Sequence, residues 1–322
     1  MNSHSMQKIA FTGVNLIISI FLGFLVPKLL GVEAYGKFSF ISSLGLFFFQ
    51  MALVCFNNAF IYHHSHETVS KSVINSFYLR FILIMVVFYC CIVAIIVQSV
   101  RLKGLVFPDI DDNVLIMLGA IFSAVTFLQL RVFDIYDAHK KVAIAEIIRV
   151  CGRVLLVMVV CYFVLSQFST SLHDFYQVSI AFLIVSIFVG LRIVRVDFDM
   201  PSSSQTSHLF CKFWDYSRPL IPVLCIASSY SFLGKYLLQF EAGSIEQGFY
   251  NFAYTVATMP VVFISSLVML FSGDIATAFK NNNIGHASNA FLDFVSTSLA
   301  IQLLSFGLII LLIEWIVLNF VG

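Results

Sequence analysis

The stretch SFLGKYLLQFEAGSIEQGFYNFAY, residues 231–254, places a lysine where its surroundings offer it nothing. Lys235 stands inside an apolar run. An acidic turn follows, with Glu241 and Glu246 around Gly243, and then an aromatic run from Phe249 to Tyr254. The apolar residues on either side continue far enough to cross a bilayer, which takes about 20 residues. An ammonium in such a segment is costly unless it meets a ligand, a partner or the headgroup layer. The stretch therefore reads as two membrane helices joined by a short turn, with Lys235 as a candidate site residue.

The rest of the chain is built alike. Its 322 residues are 60% hydrophobic and 11% charged, with a mean hydropathy of +0.97. Soluble domains carry about 25% charged residues, so an ordinary water-soluble domain is excluded. The expected fold class is all-α, a polytopic membrane protein. Nine candidate spans lie at approximately 8–30, 36–62, 76–99, 113–136, 142–165, 173–196, 212–240, 246–273 and 289–319. The N-terminal run has no A-x-A cleavage site and reads as a retained first span. The seven cysteines form no C-x-x-C pair and read as small buried hydrophobes.

The net charge of +1 carries no information about partners, but the distribution of charge does. Alternating the spans puts Lys8, Lys71, Arg80, Arg131, Lys140, Lys141, Arg149, Arg153, Arg192, Arg195, Lys212, Arg218 and Lys280 on one side. Only Lys28, Lys37, Arg101 and Lys103 fall on the other. By the positive-inside rule this 13-to-4 bias makes the N-terminus cytoplasmic. The opposite loops are short and acidic, with Glu33, Asp109, Asp111, Asp112, Glu241 and Glu246.

The longest connection, 192–219, contains Pro201, a serine run and Pro219. It divides the chain into a six-span lobe over 1–196, a cytoplasmic linker over 197–211 and a three-span partial lobe over 212–322. An internal echo supports that division. Gly36-x-Phe38-x-Phe40 matches Gly248-x-Tyr250-x-Phe252 at an offset of 212 residues, with Glu33 and Glu246 just upstream. Six spans, a polar linker and the same loop again is the pattern of a repeated transporter.

These segments carry a family resemblance. PKLLGVEAYGKFSFISSLGLFF (27–48) resembles the first loop of O-antigen flippase-type polysaccharide transporters. FWDYSRPLIPVLCIASSYSFLGKYLLQFEAGSIEQGFYNFAYTVATMPVVF (213–263) resembles their seventh and eighth helices. Those proteins belong to the multidrug/oligosaccharidyl-lipid/polysaccharide (MOP) exporter superfamily. The resemblance implies a MATE-like fold of two six-helix lobes, and the expected second lobe is incomplete, because ILLIEWIVLNFVG (310–322) falls where the ninth helix ends. It also implies an undecaprenyl-pyrophosphate-linked oligosaccharide as cargo, carried from the cytoplasmic to the periplasmic leaflet of a bacterial inner membrane. A polysaccharide polymerase, a chain-length regulator and membrane lipids are the implied partners.

A pyrophosphate-linked sugar is an anion on a greasy tail, so cations within spans are the first candidates for its site. Arg149 and Arg153 lie one turn apart in the fifth span, and Glu146 can pair with Arg149, leaving Arg153 for an anion. Lys235 either faces a cavity between the lobes or snorkels to the headgroups. Arg80 and Arg131 lie near the cytoplasmic interface, where they anchor or admit the head group. Asn57, Asn58 and Gln129 are candidates for sugar hydroxyls or for links between helices. Pro260, in the eighth span, is a candidate hinge.

His63, His64 and His66 beside Glu67 have a metal-like look, but no second cluster completes a site, and no metal is expected. No G-x-x-x-x-G-K-[ST] run is present, so neither a nucleotide nor another cofactor is expected. Nucleic acid is not an expected partner. Two other functions use similar hydrophobic chains. A membrane glycan polymerase or ligase would need a large outer loop with basic catalytic residues, whereas the outer loops here are short and mostly acidic. A MATE-type drug or cation exporter would favour a buried acid in the N-lobe; Ile9 to Val26 of the first span contains none, and the charges within spans are mainly basic.

Overall fold

The structure is a computed structural model that describes residues 3–53, 56–66, 70–139, 142–165, 171–194, 199–280 and 284–320. The described residues contain eleven α-helices, one short 3₁₀ helix and no strand. In chain order they are α1 (Ser3–Leu30), α2 (Val32–Leu53), α3 (Phe56–His66), α4 (Lys71–Gln98), α5 (Val100–Val106), α6 (Asn113–Ala138) and α7 (Val142–Leu165). There follow α8 (Leu172–Val194), α9 (Ser203–Ser217), the 3₁₀ turn Arg218–Leu220, α10 (Ile221–Lys280) and α11 (Ile284–Phe320).

In a bilayer every backbone polar group must be satisfied within its own segment, which leaves these apolar runs little choice but helix. Side chains take up the free N–H groups at several helix starts. Asp112 Oδ1 accepts from Val114 N and Leu115 N, opening α6. Ser171 and Asp174 bond reciprocally across the start of α8. Ser202 and Gln205 form the same kind of box at the start of α9.

Six helices among the described residues are long and apolar enough to cross a membrane. They are Val32–Leu53, Lys71–Gln98, Asn113–Tyr136, Leu172–Arg192, Ser203–Thr258 and Ile284–Gly307. The fifth joins α9, the 3₁₀ turn and part of α10 and runs through a break at Gly243; α10 holds the expected span 246–273 and most of 212–240, whose start lies in α9 and the 3₁₀ turn. α1 and α7 are helical over the expected first and fifth spans. Large apolar side chains stay exposed along these helices, such as Ile84, Val87, Ile95 and Phe188. A helix apolar on all sides suits lipid on one face and protein on the other.

Two local features differ from the sequence reading. The expected second span, 36–62, is carried by two helices, α2 and α3, rather than one. The serine-rich connection also holds a full helix. α9 turns Leu209, Phe213 and Ser217 inward against α3 and α4 and leaves Phe210 and Trp214 exposed. The signal for it was the pair Ser202 and Gln205 at capping-box spacing.

The most extensive interface joins α2 to α10. α6 packs against α8, α4 and α2, and α1 packs against α7 and α10. One continuous core runs from Val26 through Phe40, Phe49, Tyr78 and Tyr176 to Phe213, Phe232 and Val256.

Candidate functional site

The α2–α10 interface has a sealed end and an open end. The sealed end carries Gly31, Asp109 and Gly243, and the internal echo is visible there in three dimensions. Gly31 and Gly243, 212 residues apart, both turn the chain with positive φ, +78° and +86°. Gly36 lies so close to the Ser244 carbonyl that a Cβ would collide with it, and Gly248 stands in the same relation to the Val32 carbonyl. Ser244 is Val32 plus 212, so each glycine faces the partner's counterpart of its own neighbour. This is the reciprocity of a two-fold contact.

Hydrogen bonds lock the sealed end. Ser244 N donates to Asp109 Oδ2 at 2.7 Å, so a side chain from the α5–α6 connection caps the second arm of α10. Gln239 Nε2 donates to the Pro108 carbonyl at 3.1 Å and to Ser244 Oγ at 2.9 Å. Tyr236 donates to the Leu105 carbonyl at 2.6 Å, and Asn251 Nδ2 to the Tyr35 hydroxyl at 3.0 Å. Asp109 itself has a φ of 61°, a left-handed conformation that aspartate tolerates better than most residues. Further along, Phe47 stacks on Phe232 with centroids 4.6 Å apart.

Past that stack the interface parts around a cavity of about 400 Å³. Gln50, Leu53, Asn57 and Asn58 line it from α2 and α3, Arg131 from α6, and Leu224, Ala227, Ser228 and Ser231 from α10. The Arg131 guanidinium is 2.8 Å from Asp134 Oδ2, and the same oxygen accepts from the Tyr78 hydroxyl at 2.9 Å. The guanidinium also lies 5.4 Å from the Phe127 ring centroid. The cavity thus offers one cation, three amide side chains and two hydroxyls between apolar walls.

Of the sequence-predicted residues, Asn57, Asn58 and Arg131 come together here. The others lie elsewhere. Arg153 donates to Ser19 Oγ at 2.7 Å, joining α7 to α1, and Arg149 sits over the Phe133 ring at 4.6 Å, joining α7 to α6. Lys235 Nζ donates to Ser43 Oγ at 3.0 Å and lies 5.0 Å from the Tyr254 centroid, on the seam between α2 and α10. Arg80 is exposed on α4. Gln129 bonds Ser186, linking α6 to α8. The backbone at Pro260 is helical, and its side chain lies outside the described residues, as does that of Glu146. The non-helical residue within α10 is Gly243.

Sequence reasoning missed Gln50, Ser228 and Ser231. A glutamine ending the aromatic run FFFQ (47–50) and the serines of ASSYS (227–231) were the available signals.

His63 and His64 pack against neighbouring rings. His63 stacks on Phe213 of α9 at 5.3 Å, and His64 meets His139 edge-on at 4.7 Å. Burial, then the neighbouring His139 and Lys71, push His64 down from 6.5 to about 4. His66 and Glu67 lie outside the described side chains. Among those described, no group of three or more metal-ligating residues occurs.

Among solved structures, the chain is similar to one described as the outward-facing conformation of a multidrug resistance MATE family transporter of the MOP superfamily. The TM-score is 0.68 at 13% identity, covering 98% of this chain and 72% of that one. A structure described as the inward-facing conformation of a multidrug resistance MATE family transporter of the MOP superfamily gives 0.59 at 13% identity with the same coverage. No family model and no curated sequence matches. At this identity the likeness is one of fold, and the conformations named belong to those proteins. The chain is a multi-pass, all-helical membrane protein with a MATE-like fold.

Proposed function

We propose that this protein is a transporter that moves an undecaprenyl-pyrophosphate-linked oligosaccharide, such as an O-antigen repeat unit, across a bacterial inner membrane by alternating access. The observation that carries the reading is the cavity. It lies between α10 and the α2, α3 and α6 helices, it sets polar side chains among apolar walls, and it holds the Arg131 guanidinium, while the other end of the same interface is shut. An interface closed at one end and parted at the other is the geometry that rocking two lobes would exchange.

In this reading α1–α8 and α10–α11 are the two lobes and α9 is the tie between them. With a cytoplasmic N-terminus, the cavity faces the cytoplasm and the Gly31–Gly243 seam is the periplasmic gate. Arg131 meets the pyrophosphate, because a guanidinium fork matches phosphate oxygens. Asn57, Asn58, Gln50, Ser228 and Ser231 exchange hydrogen bonds with sugar hydroxyls, and the polyprenyl tail stays in lipid. Arg149, Arg153 and Lys235 hold helices together, and Gly243 serves beside Pro260 as a point of flexure. Polymerase and chain-length regulator are partners downstream of delivery.

The test is complementation of a flippase-deficient strain. Arg131→Gln is expected to abolish surface glycan while the protein still inserts, and wild-type glycan would refute the cavity role. Reporter fusions at Pro201 and Asp111 test the orientation, with cytoplasmic and periplasmic signals expected respectively. A swapped pair would invert the reading.

A further inference from the structure

Arg131 is already partnered at the mouth of the cavity, and that pairing has a consequence for anything that binds there. Asp134 lies one turn along α6 and holds one end of the guanidinium at 2.8 Å. The Tyr78 hydroxyl, from α4, holds the same carboxylate oxygen at 2.9 Å. Tyr78 is fully buried and stacked on Phe60 at 4.1 Å, so its hydroxyl is fixed in place. Arg131 Nε, by contrast, is buried without a hydrogen-bond partner among the described residues. The internal counter-ion of the guanidinium is a carboxylate, held in place by a buried hydroxyl. A cavity-lining guanidinium paired with a carboxylate is a group for which an incoming oxyanion would have to compete.

We infer that Asp134 is a built-in competitor for the anionic ligand of Arg131, and that Tyr78 is the positioning residue that keeps it there. An anion reaching the cavity shares or displaces the Asp134 contact. The carboxylate thereby weakens the site, so that a diphosphate is held loosely enough to leave again. With the cavity empty, the same carboxylate neutralises a cation that lipid would otherwise penalise. The inference rests on the proposed anionic cargo and adds to it the residues that set the strength of binding.

The experiment titrates inorganic pyrophosphate into the purified full chain in nanodiscs, by calorimetry, for wild type, Asp134→Asn, Tyr78→Phe and Arg131→Gln. Asparagine keeps an acceptor for the guanidinium but removes the charge. Asp134→Asn is expected to bind about tenfold more tightly, the order expected for removing one nearby like charge at an effective protein dielectric. Tyr78→Phe should tighten binding by about two- to threefold, and Arg131→Gln should abolish it. Tightening is a gain that general damage to the fold does not produce, and thermal unfolding of each variant checks that it is folded. Equal or weaker binding by folded Asp134→Asn overturns the inference and leaves the cargo reading standing. If Asp134→Asn does not fold, Tyr78→Phe decides, and unchanged affinity there overturns it. Absence of pyrophosphate binding in wild type overturns the cargo reading, and this inference with it.

Discussion

The two ends of the α2–α10 interface use opposite chemistry. At the Gly31–Gly243 end the helices approach until backbone meets backbone, and hydrogen bonds from Tyr236, Gln239, Ser244 and Asn251 tie the contact. At the other end the helices part around a cavity lined by Arg131, three amide side chains and two serines. Small residues let membrane helices pack closely, whereas polar side chains at a gap mark a place for something else. One end is built to fit itself, and the other to be filled.

The largest effect should come from breaking the seam. Gly248→Leu drives a side chain into the Val32 carbonyl, where no rotamer can relieve a clash with backbone. Overpacking of this kind costs about 1–3 kcal/mol. The thermal midpoint in detergent should fall by several degrees, and a midpoint equal to wild type would show that the seam is loose. Next is the comparison among cations. Arg131→Gln should weaken pyrophosphate binding at least tenfold, in line with about 1.5–3 kcal/mol for a charge-assisted hydrogen bond. Arg80→Gln, on an exposed site, should stay within about twofold. Equal losses from both would dissolve the distinction between cavity and surface. Asp109→Ala removes the cap on the second arm of α10 and should cost about 1 kcal/mol. It should also raise the labelling rate of a cysteine placed at Glu241, and an unchanged rate would mean that Asp109 does not hold that end.

The smallest effect is a pH dependence near the open end. The His64 imidazole is held down to about 4 from 6.5. The unfolded chain therefore takes up a proton that the folded chain refuses, and stability falls as pH drops from about 6.5 towards 4. His64→Gln should flatten that slope in a thermal-shift series, and an unaltered slope would assign it to other groups.

The apolar segments are long enough that their helices, and the membrane they require, were legible from composition alone. The 212-residue echo was legible too, because tight backbone approach at Gly36 and Gly248 leaves no other residue type acceptable. What sequence could not give was direction around each helix. Where a helix is apolar on all sides, periodicity does not say which flank meets protein. Depth could be counted for Arg153 and Lys235, but their turning towards Ser19 and Ser43 could not. The same gap hid Ser228 and Ser231. α9 was overlooked for another reason. Its serines and Pro201 read as linker, although Ser202 and Gln205 were spaced to start a helix.

The central claim is that closure at one end and opening at the other are exchanged during transport. Paired spin labels in a cysteine-free background test it directly. One pair, at Glu33 and Glu241, spans the glycine end, and the other, at Ile61 and Val223, spans the cavity end. Without ligand, the first pair should give a short, narrow distance and the second a longer one. With undecaprenyl-pyrophosphate-linked oligosaccharide in the nanodisc, a second population should show the first distance lengthened and the second shortened. Distances that stay fixed in both pairs, or lengthen together, would contradict the account.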